Sequence, residues 1–162
     1  MSLFEDSRYQ WRETYFVLFE AQHRPPAEAV KRSLTELGPR LEVSHLAATP
    51  DGLLESLTVL SHADAAGMDI TYVTGDEVAE QLAELKAEWK SRKLDATERA
   101  RLEKLLHATA RFDIYHFEEV SNFPGEEDEG PLDPGTLLLV LKRLAHLCHG
   151  QSIDPQSGEF LT

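Results

Sequence analysis

The sequence predicts an α+β domain built on an antiparallel or mixed sheet with helices on one face, and three observations lead there. Tyr15-Phe16-Val17-Leu18-Phe19 is a continuous β-favouring apolar run, too short for a helix and suited to a strand covered on both sides. Ala27, Val30, Leu34 and Leu37 recur at the spacing of one helix face, with Glu28, Lys31, Arg32 and Glu36 opposite. Leu41, Val43 and His45 alternate with Glu42 and Ser44; Thr49-Pro50-Asp51-Gly52 then supplies a turn, and a second β-like run, Leu53 to Leu60, completes a hairpin.

The remaining elements follow in order. Residues 1–12 are polar and read as a loosely held terminus ahead of one domain over 13–162. Arg24-Pro25-Pro26 opens the first helix, and Gly38-Pro39 closes it. Ser61 to Gly67 makes a short connector, and Met68 to Thr74 is a further strand. Strand, helix, strand, strand, short connector, strand is a ferredoxin-like element order in the N-terminal half.

Additional helices come next. Asp76 precedes a stripe of Val78, Leu82, Leu85 and Trp89, and Lys90 to Lys93 place cations at that helix's negative end. Asp95-Ala96-Thr97-Glu98 has the form of a capping box, with Leu102, Leu105 and Leu106 turned inward behind it. A C-terminal strand-helix-strand unit closes the chain. Its strand runs from Arg111 to Glu118, its helix opens at Asp133-Pro134 and ends at Gly150, and the segment from Ile153 to Phe160 finishes it.

Charge restricts the partners. Sixteen lysines and arginines stand against 29 aspartates and glutamates, a net of −13, which repels phosphate. Nucleic acids and anionic membrane surfaces both draw protein by its cations, so neither is expected. No apolar run approaches the length of a membrane span, and Met1 to Asp6 lacks the pattern of a secretory signal. The lone Cys148 cannot close an internal disulfide, which fits a reducing, cytoplasmic setting.

Chemistry-bearing residues are few. His146 and His149 lie three apart near the end of the last helix, where both imidazoles reach one face and suit a transition metal. A zinc centre needs a third protein ligand from elsewhere, so no cofactor is assigned. The competing reading sets both at a helix C-terminus, where cationic side chains are favoured. Cys148 beside them is a nucleophile only if a remote histidine meets it, and otherwise a small core residue. Glu118 to Asp133 holds seven acids and no lysine or arginine, without the ordered spacing of a calcium loop. Asp113 and His116 interrupt an otherwise apolar strand. Trp11, at the edge of the ordered chain, suits an interface, as do Leu138 and Leu139 in a run of five apolar residues that exceeds what one helix face needs.

Catalytic signatures such as a phosphate-cradling glycine loop or a nucleophile elbow are missing from the sequence. The expected function is therefore a non-catalytic cytoplasmic module acting by contact with another protein or with itself. A small-molecule sensor and a metal-dependent hydrolase built on His146 and His149 are the alternatives.

Overall fold

The computed structural model describes residues 3–38, 41–120 and 135–161. Six strands form one sheet and four helices pack on it. In chain order these are β1 (Tyr9–Phe19), α1 (Ala27–Thr35), β2 (Leu41–Ala48), β3 (Leu54–Ser61), β4 (Ala66–Thr74), α2 (Asp76–Lys90), α3 (Ala96–Leu105), β5 (Ala110–Glu119), α4 (Gly135–Leu147) and β6 (Gln151–Ile153). The sheet runs β2-β3-β4-β5-β1-β6, and every neighbouring pair is antiparallel.

The turn at Thr49–Gly52 joins β2 to β3 as the sequence predicts. Gly52 takes φ +83, Gly52 N donates to the Thr49 carbonyl at 2.8 Å, and Leu53 N donates to Thr49 Oγ1 at 3.0 Å. The capping box also forms: Glu98 N donates to Asp95 Oδ1 at 2.7 Å and Asp95 N to Glu98 Oε1 at 3.4 Å, so two N–H groups at the start of α3 are satisfied.

Helices cover both faces of the sheet, not one. Val17 and Phe19 pack with α1 and α4 through Val30, Leu34, Leu141 and Leu144, whereas Leu18 between them packs with Val78, Leu82, Leu85 and Trp89 of α2. Successive strand residues point to opposite faces, so these two clusters are the two sides of one sheet. The apolar run Tyr15 to Phe19 requires this, because a strand apolar at every position must be covered twice.

The sheet order also differs from a ferredoxin-like arrangement. β1 pairs with β5 and β6 and with none of β2 to β4, which form an antiparallel meander of their own. β5 and β6 flank β1 from either side, so the C-terminal strands complete the sheet around the first strand. At the N-terminus, β1 begins at Tyr9, and Leu3 is buried in a single helical turn, Leu3–Glu5. Among the described residues no helix is long and apolar enough to cross a membrane.

Candidate functional site: a polar cleft on the half-covered sheet face

Register places a set of mostly polar residues side by side on the face that carries α2. One row runs Ala47, Ser56, Thr71, Asp113 and the next runs Ser44, Thr58, Asp69, Tyr115 across β2, β3, β4 and β5. Cross-strand partners share a face, so these rows form a continuous floor. α2 stands over the other end of this face, where Val73 and Leu18 meet its apolar stripe. The floor near β2 is left open as a cleft of about 470 Å³.

Two structures rim it. The Leu3–Glu5 turn closes one side, with Phe4 set edge-on to Tyr115 (5.2 Å between ring centroids) and Phe117 (4.7 Å). Opposite, β2 is irregular between Ser44 and Ala47, and His45 there adopts φ +52, a conformation costly for a side chain with a Cβ. His45 Nδ1 lies 3.1 Å from Ser44 Oγ.

Hydrogen bonds link the floor residues to one another and to their neighbours. Asp69, only 7% exposed, accepts from Thr58 Oγ1 at 2.7 Å and from the Leu3 backbone N–H at 2.8 Å. Thr58 is itself 4% exposed. Next to it, Asp113 accepts from Arg111 Nε at 2.6 Å and from the Tyr115 hydroxyl at 3.2 Å, while Arg111 reaches on to Gln81 Oε1 (2.7 Å) and Glu77 Oε2 (3.3 Å) of α2. Burial, reinforced by the Asp113 carboxylate, raises the Tyr115 hydroxyl above its usual range, so it stays a donor at neutral pH.

Asp113 and His116, both singled out from the sequence, do not converge. Asp113 belongs to this network, but His116 lies on the opposite face, where its Nδ1 sits 2.8 Å from Glu13 Oε1, the same oxygen that accepts from Tyr15 OH at 3.3 Å. Trp11 is 45% exposed on the half of β1 that β6 does not reach, and its indole N–H donates to Thr14 Oγ1 at 3.1 Å. Leu138 and Leu139 are 38% and 50% exposed on α4.

His146 is the penultimate residue of α4, and His149 follows the helix end. His149 takes φ +52, and its ring stands edge-on to His23, 5.0 Å between centroids. Among the described residues no group of three or more His, Cys, Asp or Glu side chains could hold a metal ion. Cys148 is buried, donates to the Leu144 carbonyl at 3.1 Å, and has its pKa pushed up to about 12 by that burial, so it is a protonated core residue. The acids Glu126 to Glu129 and the Asp133-Pro134 cap lie outside the described residues.

Sequence reasoning passed over Thr58, Asp69, Thr71 and Tyr115 as floor residues. A signal was present: Ser56 and Thr58 alternate with Leu57 and Val59, as Asp69 and Thr71 do with Ile70. It has meaning only once the strands are known to be neighbours. No family model, no curated protein and no solved structure matches this chain.

Proposed function

We propose that this chain is a non-catalytic binding domain that holds a small polar molecule in the cleft over Thr58 and Asp69. The observation that carries this reading is the burial of hydrogen-bonded polar side chains in the floor of a face that the helices leave half open. An antiparallel sheet facing only water does not need buried carboxylates, and burying them costs free energy unless each is satisfied. The cleft volume falls within the usual range of small-molecule sites, about 300–1,000 Å³. Its floor carries a carboxylate and, among the described residues, no lysine or arginine lines it, which favours a neutral or cationic ligand rich in hydroxyl or amino groups.

Support for a non-catalytic role is geometric. Asp113 and His116 stand on opposite sides of the sheet, and the Cys148 thiol is buried and protonated. Thermal-shift screening against sugars, polyols, amino acids and polyamines tests the proposal. A specific ligand at a hundred times its Kd stabilises by about 2.7 kcal/mol, and the shift should vanish when Thr71→Trp fills the cleft. A shift that survives Thr71→Trp, or a screen in which every compound leaves the melting temperature unchanged, counts against it.

A second reading, contact with another copy of the chain, is favoured by the outward-facing Leu138 and Leu139. Size-exclusion with light scattering over a range of concentrations tests it. A mass that rises with concentration and reverts in Leu138→Glu/Leu139→Glu supports it, and a monomer throughout tells against it.

A further inference from the structure

The cations of this acidic chain are unevenly placed. Residues 86–104, the end of α2 and nearly all of α3, carry seven lysines and arginines against four acids, a net of +3. The other residues hold nine cations against 25 acids, a net of −16. The sign of the surface therefore inverts over one helix pair.

Between those helices lies a groove of about 800 Å³ that shares no residue with the polar cleft. Its floor is apolar: the buried ring of Trp89 with Leu94, Leu102 and the exposed Leu106. Lys86, Lys90, Lys93 and Arg99 line it, all exposed and with no ion pair among the described residues. Arg92 is occupied differently, bonding Glu88 Oε1 at 3.0 Å and the Ser157 carbonyl at 3.2 Å. The two acids in the groove, Asp95 and Glu98, are engaged in the capping box.

The helix dipole accounts for only part of this cluster. Lys90, Arg92 and Lys93 sit at the negative end of α2, where cations are favoured, but Lys86 is a turn too early. Arg99 is in the first turn of α3, the positive end, where a cation is disfavoured. Exposed cations that the dipole does not account for, Lys86 and Arg99, together with an apolar floor, call for an anionic occupant with apolar side chains.

We propose that the α2–α3 groove docks an acidic segment of a partner protein, its carboxylates meeting Lys90, Lys93 and Arg99 and its apolar side chains resting on Leu94 and Leu106. Complementary charge gives such a site its on-rate and selectivity, and the apolar floor supplies desolvated contact. A nucleic acid fits less well. The net charge of the whole molecule repels a dense polyanion, and a groove floored by leucines offers its phosphates nothing.

Fluorescence anisotropy of a short labelled peptide of Glu-Glu-Leu repeats, titrated with the full chain at low and at moderate salt, tests this proposal. A Glu-only peptide and a single-stranded oligonucleotide of equal length are run beside it. Saturable binding is expected for the mixed peptide, weakening with salt and falling about ten-fold or more in Lys93→Glu/Arg99→Glu. Lys31→Glu/Arg32→Glu on α1 changes the net charge equally and is expected to leave affinity within about two-fold. Leu106→Ala is expected to weaken binding without changing its salt dependence. No saturable binding, equal loss in both charge variants, or tighter binding of the oligonucleotide or the Glu-only peptide would overturn it.

Discussion

The backbone N–H of Leu3 donates to Asp69 Oδ2 across 2.8 Å, tying the first described residue to the middle of the sheet. The same carboxylate takes its second donor from Thr58, so one buried side chain joins the N-terminal turn, β3 and β4. This arrangement fixes one wall of the polar cleft to its floor.

Thr58→Val keeps the shape of the side chain and removes the donor. Asp69 Oδ1 is then left buried without that bond, at a cost of about 1–3 kcal/mol. Urea denaturation should show that loss with an unchanged m-value. A variant as stable as the parent would mean that the bond does not hold the floor.

His45 and Ala65 both occupy the left-handed region, at φ +52 and +50, which costs an L side chain roughly 1–2 kcal/mol. His45→Gly and Ala65→Gly should each stabilise the fold by about 1 kcal/mol after the added chain entropy is counted. Only His45 lines the cleft, so ligand affinity should fall in His45→Gly and not in Ala65→Gly. Calorimetry with and without a ligand from the screen separates the two.

The Cys148 thiol, pushed up to about 12 by burial, should resist a thiol reagent in the native protein and react stoichiometrically once unfolded. Its folded pKa is raised, so its contribution to stability is fully present below the ordinary thiol value of 9.0 and is lost as pH climbs from there towards 12. Cys148→Ala should flatten that alkaline decline. Rapid native-state labelling at neutral pH would show the thiol to be accessible.

Asp64 accepts from Thr136 at the start of α4 and from Ser61 at the end of β3, and these bonds hold its carboxyl below the usual carboxylate range. A lowered folded pKa contributes stability above the unfolded value and loses it as pH falls through the folded one. Asp64→Asn should therefore cost about 1 kcal/mol at neutral pH and progressively less in acid. Stability curves of the two proteins that stay parallel down to the acid limb would contradict this.

Gly150 closes α4 where no side chain fits. A Cβ there would stand 2.6 Å from the Leu18 carbonyl oxygen and 3.1 Å from Cys148 Sγ. The first is backbone of a central strand and cannot yield, so Gly150→Ala should destabilise by about 1–3 kcal/mol. Equal stability would place the α4–β6 connection farther from β1.

What the sequence made legible was local. The Thr49–Gly52 turn, the α1 stripe and the Asp95–Glu98 capping box each depend on residues a few positions apart. The chemistry that forms them is complete within a short window. The sheet order is not of that kind: β1 meets β5 through partners such as Val17 and Phe112, and nothing near either residue names the other.

The same reason hid the cleft. Thr58 and Asp69 are buried polar residues whose partners lie far along the chain: Asp69 takes one donor from Thr58 on the neighbouring strand and another from the Leu3 backbone, 66 residues away. Polar residues at alternate positions otherwise read as the wet side of a strand. Trp11 and Leu138 were legible as exposed apolar residues because each breaks the pattern of its own element. His116 and Asp113 were legible as exceptions, but the two-residue period that separates their faces forbids them a shared site.

The most direct measurement is an amide NMR titration of the chain with the strongest ligand from the thermal-shift screen. Saturable shifts are expected at Thr58, Asp69, Thr71 and Tyr115, with the Leu3–Glu5 turn moving in step and α1 and α4 silent. Shifts confined to other surfaces, with the amides of Thr58 and Asp69 unmoved at saturation, would contradict the assignment of the cleft as the binding site.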